Sequence, residues 1–138
     1  MSIIKSVQSF LHTCPYIALR QIRLDGTEED PSNCAVALAG NSKISEDLAG
    51  NKTYQYNFVF YVREYTGSEA DKEGNHDFLQ SFTDWIEDQD AAESYPTLAA
   101  NCVPESMSVS NMLLFDVDPD GSAGLYQVQL KLIYTKER

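Results

Sequence analysis

The stretch Thr53–Tyr65 constrains the fold more than any other part of the sequence. Large apolar or aromatic residues recur there at every second position: Tyr54, Tyr56, Phe58, Phe60 and Val62. A period of two places all five on one face of a β-strand, and such residues suit a half-buried strand. The other face, which can meet water or a partner, carries Gln55, Asn57, Val59, Tyr61 and Arg63. We predict that this stretch is the central strand of a sheet, with a bulge or bend near Asn57 or Arg63.

Two segments have the apolar spacing of amphipathic helices. The first is Ser2–Cys14, which Ser2 can cap and Pro15 would stop. The second is Asn75–Gln89, with Asn75 as the predicted cap and an apolar stripe of Phe78, Leu79, Phe82, Trp85 and Ile86. Because Trp85 lies in the middle of that stripe, we expect its side chain to be substantially buried.

Further strands are predicted where apolar residues cluster or alternate: Tyr16–Leu24, Cys34–Leu38, Glu105–Asp116 and Leu125–Tyr134. Within Glu105–Asp116 we expect one face to carry Met107, Val109, Leu113 and Phe115. The alternation in Leu125–Tyr134 indicates an antiparallel sheet with one solvated or partner-covered face. We therefore predict one α+β domain over residues 1–138, with an antiparallel-rich sheet of about four to six strands and two amphipathic helices on one face.

Polar, turn-forming segments connect these elements. We expect loops at Thr27–Asn33 and Asp90–Asn101, and an exposed, mobile loop at Thr66–Gly74. Little apolar content anchors Ala39–Lys52, and Gly-containing turns bracket its middle. We predict that Ala39–Lys52 forms an exposed arm or loop.

Charge and composition exclude several classes of function. The chain carries 21 acidic and 10 basic residues, a net charge of −11. Such a field repels phosphate, so we expect no nucleic-acid partner and no anionic membrane surface as a partner. No apolar run approaches the roughly 20 residues of a membrane span, and no secretory signal opens the chain. We therefore expect a protein made and used in a cytoplasm.

No residue pattern points to catalysis, a cofactor or a metal. The three cysteines lack a CxxC spacing, and the two histidines, His12 and His76, lie in polar surroundings without a nucleophile. The run from Asp116 to Gly121 matches the first half of a calcium-binding EF-hand loop, but its twelfth position is Gln127 rather than Glu. We predict a structural turn at Asp118–Gly121 and no catalytic, cofactor-binding or metal-binding residues.

Several segments in order resemble a known family. They are Leu11-His-Thr-Cys-Pro-Tyr16, Phe58-Val-Phe-Tyr-Val-Arg-Glu-Tyr65, Phe82-Thr-Asp-Trp-Ile-Glu-Asp-Gln89, Tyr95-Pro-Thr-Leu98 and Tyr126-Gln-Val-Gln-Leu-Lys-Leu-Ile-Tyr134. This set resembles minor structural (tail-terminator-like, or minor capsid) proteins of phages and prophages of Gram-positive bacteria. The element order is similar to that of tail terminator proteins.

The resemblance implies a virion protein that is made in the cytoplasm of the bacterial host, caps the tail tube and joins the tail to the head. It implies a homo-oligomer, commonly a hexameric ring in this family, whose subunits associate weakly or are monomeric in isolation. It also implies other tail or head–tail connector proteins as partners. The alternative is an adaptor or chaperone for tail assembly that is absent from the virion. Contacts are expected from the mixed face of Thr53–Tyr65, the arm Ala39–Lys52 and the loop Thr66–Gly74. The candidate interface residues are Lys43, Glu46, Asp47, Lys52, Tyr61, Arg63, Tyr65 and Glu69.

Overall fold

The computed structural model describes residues 2–17, 22–24 and 33–138. These residues form two helices and five strands: α1 (Ile3–Leu11), β1 (Ile22–Leu24), β2 (Asn33–Glu46), β3 (Lys52–Tyr65), α2 (Glu69–Ala91), β4 (Cys102–Val117) and β5 (Ala123–Lys136). The sheet has the order β1-β2-β3-β5-β4. Its β1–β2 pair is parallel and its other pairs are antiparallel. The predicted α+β class is therefore confirmed, with a mixed, mostly antiparallel sheet.

Strand β3 is the middle strand, as predicted. It pairs with β5 without interruption, from Lys52 opposite Lys136 to Tyr65 opposite Ala123. The prediction of a bulge within β3 is wrong. Two irregularities lie in β2, where Ala39 is an extra residue between Leu38 and Gly40 and Ile44 is an extra residue between Lys43 and Ser45. An extra residue in β3 would disturb the ladders on both of its sides, whereas in β2 it disturbs one.

The core lies between one face of the sheet and the helices. Four of the five alternating residues of β3 are buried, as is the alternating set on β5: Tyr126, Val128, Leu130, Leu132 and Tyr134. Phe60 stacks on Phe82 of α2 at a centroid distance of 4.9 Å. Trp85 packs on Phe10 of α1 at 5.2 Å, and most of its surface is covered by the core that it packs against. The prediction that Trp85 is substantially buried is therefore confirmed.

Helix α1 is shorter than predicted. Ser2 caps it, since its Oγ accepts a hydrogen bond from the Lys5 amide at 3.3 Å, but the helix ends at Leu11 instead of Cys14. The predicted strand Tyr16–Leu24 is confirmed only over Ile22–Leu24, and residues 16 and 17 lie in a turn. Residues 18–21 of that prediction lie outside the described residues. The predicted loop Thr27–Asn33 also lies outside them, except that Asn33 begins β2.

Helix α2 begins earlier than predicted. Its cap is Ser68, whose Oγ accepts a hydrogen bond from the Asp71 amide at 3.1 Å. The loop predicted at Thr66–Gly74 is therefore wrong beyond Ser68. Asn75 is not a cap but a buried helical residue, and its side-chain amide donates to the Tyr65 carbonyl at 2.8 Å. Serine followed by acidic residues is a favourable helix start, which outweighs the presence of Gly74.

The predicted arm Ala39–Lys52 is instead a continuation of the sheet. Strand β2 runs on to Glu46 beside β3, and residues 47–51 form the turn between them. Weak strand propensity is overridden because β3 offers a row of backbone partners. The predicted exposure is observed, since residues 41–49 are all exposed.

Strand β4 contradicts the predicted face. Met107 and Val109 lie opposite Leu132 and Leu130 and face the helices, as expected. Extra residues at Ser110 and Phe115 then shift the alternation, so that Leu113 lies opposite Gln127 on the other face. Each bulge exchanges the faces of all later residues. A simple period-two pattern fails here for that reason.

Candidate functional site

The side of the sheet away from the helices, which we call the open face, carries few charges along its two middle strands, β3 and β5. Strands β3 and β5 line it with Thr53, Gln55, Asn57, Val59, Tyr61, Arg63, Leu125, Gln127, Gln129, Lys131, Ile133 and Thr135. Arg63 and Lys131 are the charged members of this set, in a chain with 21 acidic residues. Neither described helix packs on this face. Depletion of charge is typical of the core of a protein–protein interface.

Side-chain hydrogen bonds order the open face. The Gln55 amide donates to Asn57 Oδ1 at 3.0 Å, and the Gln129 amide donates to Gln127 Oε1 at 3.3 Å. The Gln127 amide approaches the Tyr61 hydroxyl at 3.5 Å. Amide and hydroxyl groups keep further donors and acceptors after such bonds. A partner could therefore form further hydrogen bonds with this face.

The open face contains a trough at its middle. The β2 bulge at Ala39 lies opposite Asn57 and Phe58, and a β4 bulge lies beside Gln129, which itself pairs with Val59. Bulges at the same height in β2 and β4, the strands on either side of the β3–β5 pair, bend the sheet there. The resulting cavity of about 490 Å³ is lined in part by Ala37, Asn57, Val59, Tyr61, Gln127 and Gln129. Val59 is only 6% exposed there, so the trough has a protected apolar floor.

One end of the sheet holds the β2–β3 turn, and we call residues 41–53 and 134–138 the hairpin end. The Lys43 ammonium contacts Glu46 Oε1 at 3.0 Å, and this hydrogen bond lowers the pKa of Glu46. Asp47 Oδ1 accepts from the amides of Ala49 and Asn51 at 2.9 and 3.0 Å, and its hydrogen bonds with Asn51 lower the pKa of Asp47. The turn is therefore ordered by its own carboxylate.

Leu48 is the most exposed large apolar residue of the described chain. It lies at the tip of the turn and is fully exposed, at 107% of the reference area. Its neighbours Asp47 and Asn51 hold the backbone in place. An apolar side chain on a rigid tip is available for contact with another surface. Sequence reasoning missed Leu48, although an apolar residue among the turn formers Asp47 and Gly50 was the signal.

The opposite end of the sheet, which we call the acidic end, comprises residues 63–77 and 114–124. Arg63 Nη2 bonds both carboxylate oxygens of Asp118, at 2.6 and 2.7 Å. The Gly121 amide donates to the Asp118 carbonyl at 2.8 Å, which closes the turn. The predicted turn at Asp118–Gly121 is confirmed. Asp120 accepts hydrogen bonds from the Ser122 amide and hydroxyl, and the pKa of Asp120 is lowered as a result.

The eight candidate interface residues fall in three separate places. Lys43, Glu46, Asp47 and Lys52 lie at the hairpin end, whereas Tyr61 and Arg63 lie on the open face. Exposed Tyr65 lies at the acidic end, as does Glu69, which is 3.7 Å from Lys72. At about 3.3 Å per residue, the 14 residues of β3 separate the two ends by on the order of 40 Å. The structure therefore does not bring these residues into one site.

The two ends differ in charge. The hairpin end carries four cations (Lys43, Lys52, Lys136 and Arg138) and three carboxylates (Glu46, Asp47 and Glu137), a net charge of +1. The acidic end carries two cations (Arg63 and Lys72) and eight carboxylates, a net charge of −6. The chain therefore has an electrostatic polarity along its strands.

The acidic end also contains a small apolar pocket of about 280 Å³. Tyr126 lies buried in it, with the His76 ring edge-on at 6.2 Å. Leu114 and Val117, which are 46% and 42% exposed, form part of its wall. Sequence reasoning missed this pocket because the β4 bulges decide which side chains of residues 112–117 face it. The apolar run Met112-Leu-Leu-Phe115 was the available signal.

A larger groove of about 720 Å³ lies between α1, the end of α2 and the following connector. Phe10, Trp85 and Tyr95 line part of it. Asp90 Oδ1 accepts hydrogen bonds from the Tyr95 hydroxyl at 2.7 Å and from the Met107 amide at 2.9 Å. Desolvation and the bond with Asp90 raise the pKa of Tyr95 to about 12. The Asp90 carboxylate therefore links three parts of the chain, namely α2, the connector that follows it and β4.

Within the described ranges, no group of three or more His, Cys, Asp or Glu residues could hold a metal ion. His12, which follows the end of α1, and His76, in α2, are both exposed and lie in different parts of the fold. Burial raises the pKa of the Cys14 thiol. Neither α1 nor α2 is long and apolar enough to cross a membrane.

A scan against protein-family models and a search of curated proteins both return no match to this sequence. The functional conclusion therefore depends on the residues and surfaces of the chain itself.

Proposed function

We propose that this chain is a phage or prophage virion protein that caps the tail tube and joins the tail to the head. The observation that carries the proposal is the charge-depleted open face in a chain of net charge −11. Four strands side by side, each about 40 Å long, span about 19 Å, so the face covers on the order of 800 Å². One partner contributes about that area to a standard protein–protein interface.

The element order supports the same proposal. Helix, strands, helix and two final strands follow one another in the order seen in the tail terminator proteins that the sequence resembles. In this role the partners are further copies of the chain in a ring, subunits of the tail tube and a head–tail connector. The open face and the two ends of the sheet are three surfaces for such neighbours. No catalytic residue, cofactor or metal is part of the proposal.

The groove beside Trp85 favours a second candidate. An adaptor or chaperone for tail assembly would need a site for a segment of another protein, and a half-buried aromatic groove of about 720 Å³ is suitable for one. Such a protein would assist assembly and would then be absent from the mature particle.

Deletion of the gene from its phage or prophage tests the leading proposal. We expect overlong tails and tails without heads in electron micrographs. Mass spectrometry of purified wild-type particles should find the chain, which separates a virion component from a chaperone. Particles of normal tail length and normal head attachment in the deletion strain would contradict the proposal.

A pair of substitutions tests the open face itself. Gln129→Glu places a carboxylate beside the trough, whereas Gln80→Glu places one on the exposed side of α2. Both proteins should fold, but only Gln129→Glu should fail to enter particles. Equal incorporation of the two variants would remove the open face from the proposal.

A further inference from the structure

The polarity of the protomer has a consequence for how copies meet. We propose that the Leu48 tip of one copy binds the apolar pocket at the acidic end of a second copy. This inference rests on the proposed function, because it names the contact through which the ring would close. It identifies the partner of both ends as the chain itself.

The tip has the properties of an anchor that is ready before binding. Leu48 is fully exposed, while the Asp47 carboxylate holds the turn through the Ala49 and Asn51 amides. The side-chain amide of Asn51 also donates to Asp47 Oδ2 at 3.0 Å. Little backbone freedom remains to be lost when the tip docks, which lowers the entropic cost of binding.

The pocket has a matching size and surface. Its volume of about 280 Å³ suits an aliphatic side chain better than a metabolite, since ligand sites commonly begin near about 300 Å³. Leu114, Val117 and Tyr126 provide apolar contacts, and Thr66 and Lys72 lie at its polar margin. Insertion of Leu48 would cover apolar surface that both copies otherwise expose to water.

Charge favours this pairing over the alternatives. The hairpin end has a net charge of +1 and the acidic end a net charge of −6. Joining two acidic ends would bring like charges together, whereas a hairpin end beside an acidic end brings opposite charges together. Two hairpin ends would leave the pocket empty. The arrangement with the best complementarity is therefore head to tail.

Geometry then determines the kind of assembly. The tip and the pocket lie at opposite ends of β3, on the order of 40 Å apart. One copy cannot satisfy its own pocket, and each bound pair leaves one tip and one pocket available. Such a heterologous contact propagates and closes into a ring when the rotation between copies permits.

Cross-linking of paired cysteines tests the contact. Ala49→Cys and Val117→Cys would be combined in a Cys102→Ser background, which keeps Leu48, since Cys14 and Cys34 are buried. A short bismaleimide should then link the protein into a ladder of dimers, trimers and larger species. The matched control combines Ala49→Cys with Glu87→Cys, which lies exposed on α2. A ladder no longer than that of the control would overturn the contact.

A second comparison avoids chemical linkage. Leu48→Asp and Ala49→Asp add the same charge to the same turn, and both positions are exposed, so both proteins should fold. In sedimentation at rising protein concentration, Leu48→Asp should weaken self-association by at least about tenfold relative to Ala49→Asp. Equal behaviour of the two variants would also overturn the contact.

The outcomes of these two contact tests can be distinguished from the outcome of the gene-deletion test of function. If the contact is wrong but the function is right, cross-linking fails while deletion of the gene still gives overlong tails. If the function is wrong but the contact is right, the ladder forms while deletion leaves particles unchanged.

Discussion

The two faces of β3 show how one strand serves stability and recognition by different means. On the helix-covered face, Phe58, Phe60 and Val62 are buried against the helices and neighbouring strands. On the open face, Gln55, Asn57 and Tyr61 are half-buried and make side-chain hydrogen bonds with their neighbours. Burial of large apolar groups contributes more free energy than such bonds do. The helix-covered face can therefore hold the fold while the open face remains available to a partner.

The largest expected difference in the free energy of unfolding is between alanine variants of two adjacent residues of β3. Phe60→Ala removes a fully buried ring that stacks on Phe82, so we expect a loss of about 3–5 kcal/mol in the free energy of unfolding. Tyr61→Ala, on the open face, should cost about 1 kcal/mol or less. Urea unfolding measures both values. Similar losses for the two variants would show that the open face also supports the core.

A smaller effect is expected where a carboxylate supports the helix-covered side. Asp90→Ala removes the acceptor of the Tyr95 hydroxyl and the Met107 amide, so we expect a loss of about 1–3 kcal/mol. Asp88→Ala, two residues earlier and exposed, is the control and should change the free energy by less than about 0.5 kcal/mol. A loss for Asp90→Ala no larger than that of the control would mean that packing alone positions the connector.

The ion pair of Arg63 and Asp118 should contribute less to the free energy of unfolding than the hydrogen bonds of Asp90 do. Both side chains are partly solvated, with 15% and 33% of their areas exposed, so screening reduces the attraction. We expect Asp118→Asn to cost about 1 kcal/mol, and the loss should shrink in high salt. Thermal unfolding at two salt concentrations measures it. A loss independent of salt would instead indicate that the carboxylate acts mainly through the turn.

The smallest expected effect on stability comes from the ionisation of Tyr95 and appears only at alkaline pH. Burial and Asp90 raise the pKa of Tyr95 from 10.0 to about 12 in the folded protein. Below pH 10 the phenol is neutral in both states, and its contribution to stability is complete. Between pH 10 and pH 12 the unfolded chain ionises first, so this contribution is lost as pH rises. Wild-type protein should therefore lose melting temperature over this range more steeply than Tyr95→Phe, and parallel profiles would refute the shift.

Local sequence patterns predicted a large part of the core. The alternation in β3 and β5 is correct at the buried positions of the helix-covered face, since a period of two needs no knowledge of the rest of the chain. Val59, which is buried on the open face, lies outside this pattern. The stripe of α2 is also correct, since Leu79, Phe82 and Ile86 are buried and Trp85 packs against the core. The turn at Asp118–Gly121 was also predictable, because Asp, Pro and Gly have backbone preferences of their own.

The remaining features depend on pairing between distant segments. Strand β2 reaches Glu46 because β3 offers hydrogen-bond partners, although the residues of β2 have weak strand preference. The bulges of β4 decide that Met112 and Leu114 face the helix side while Leu113 faces the open side.

The amino-acid sequence by itself determined the two amphipathic helices, the central strand, the buried face of β5 and the overall acidity, because these follow from local periodicity and composition. Tertiary structure alone decided the pocket at the acidic end, the trough on the open face and the separation of the eight candidate interface residues. Each of these depends on strand register, and register is set by contacts between residues far apart in the chain. A local pattern contains no information about which of two registers a bulge selects.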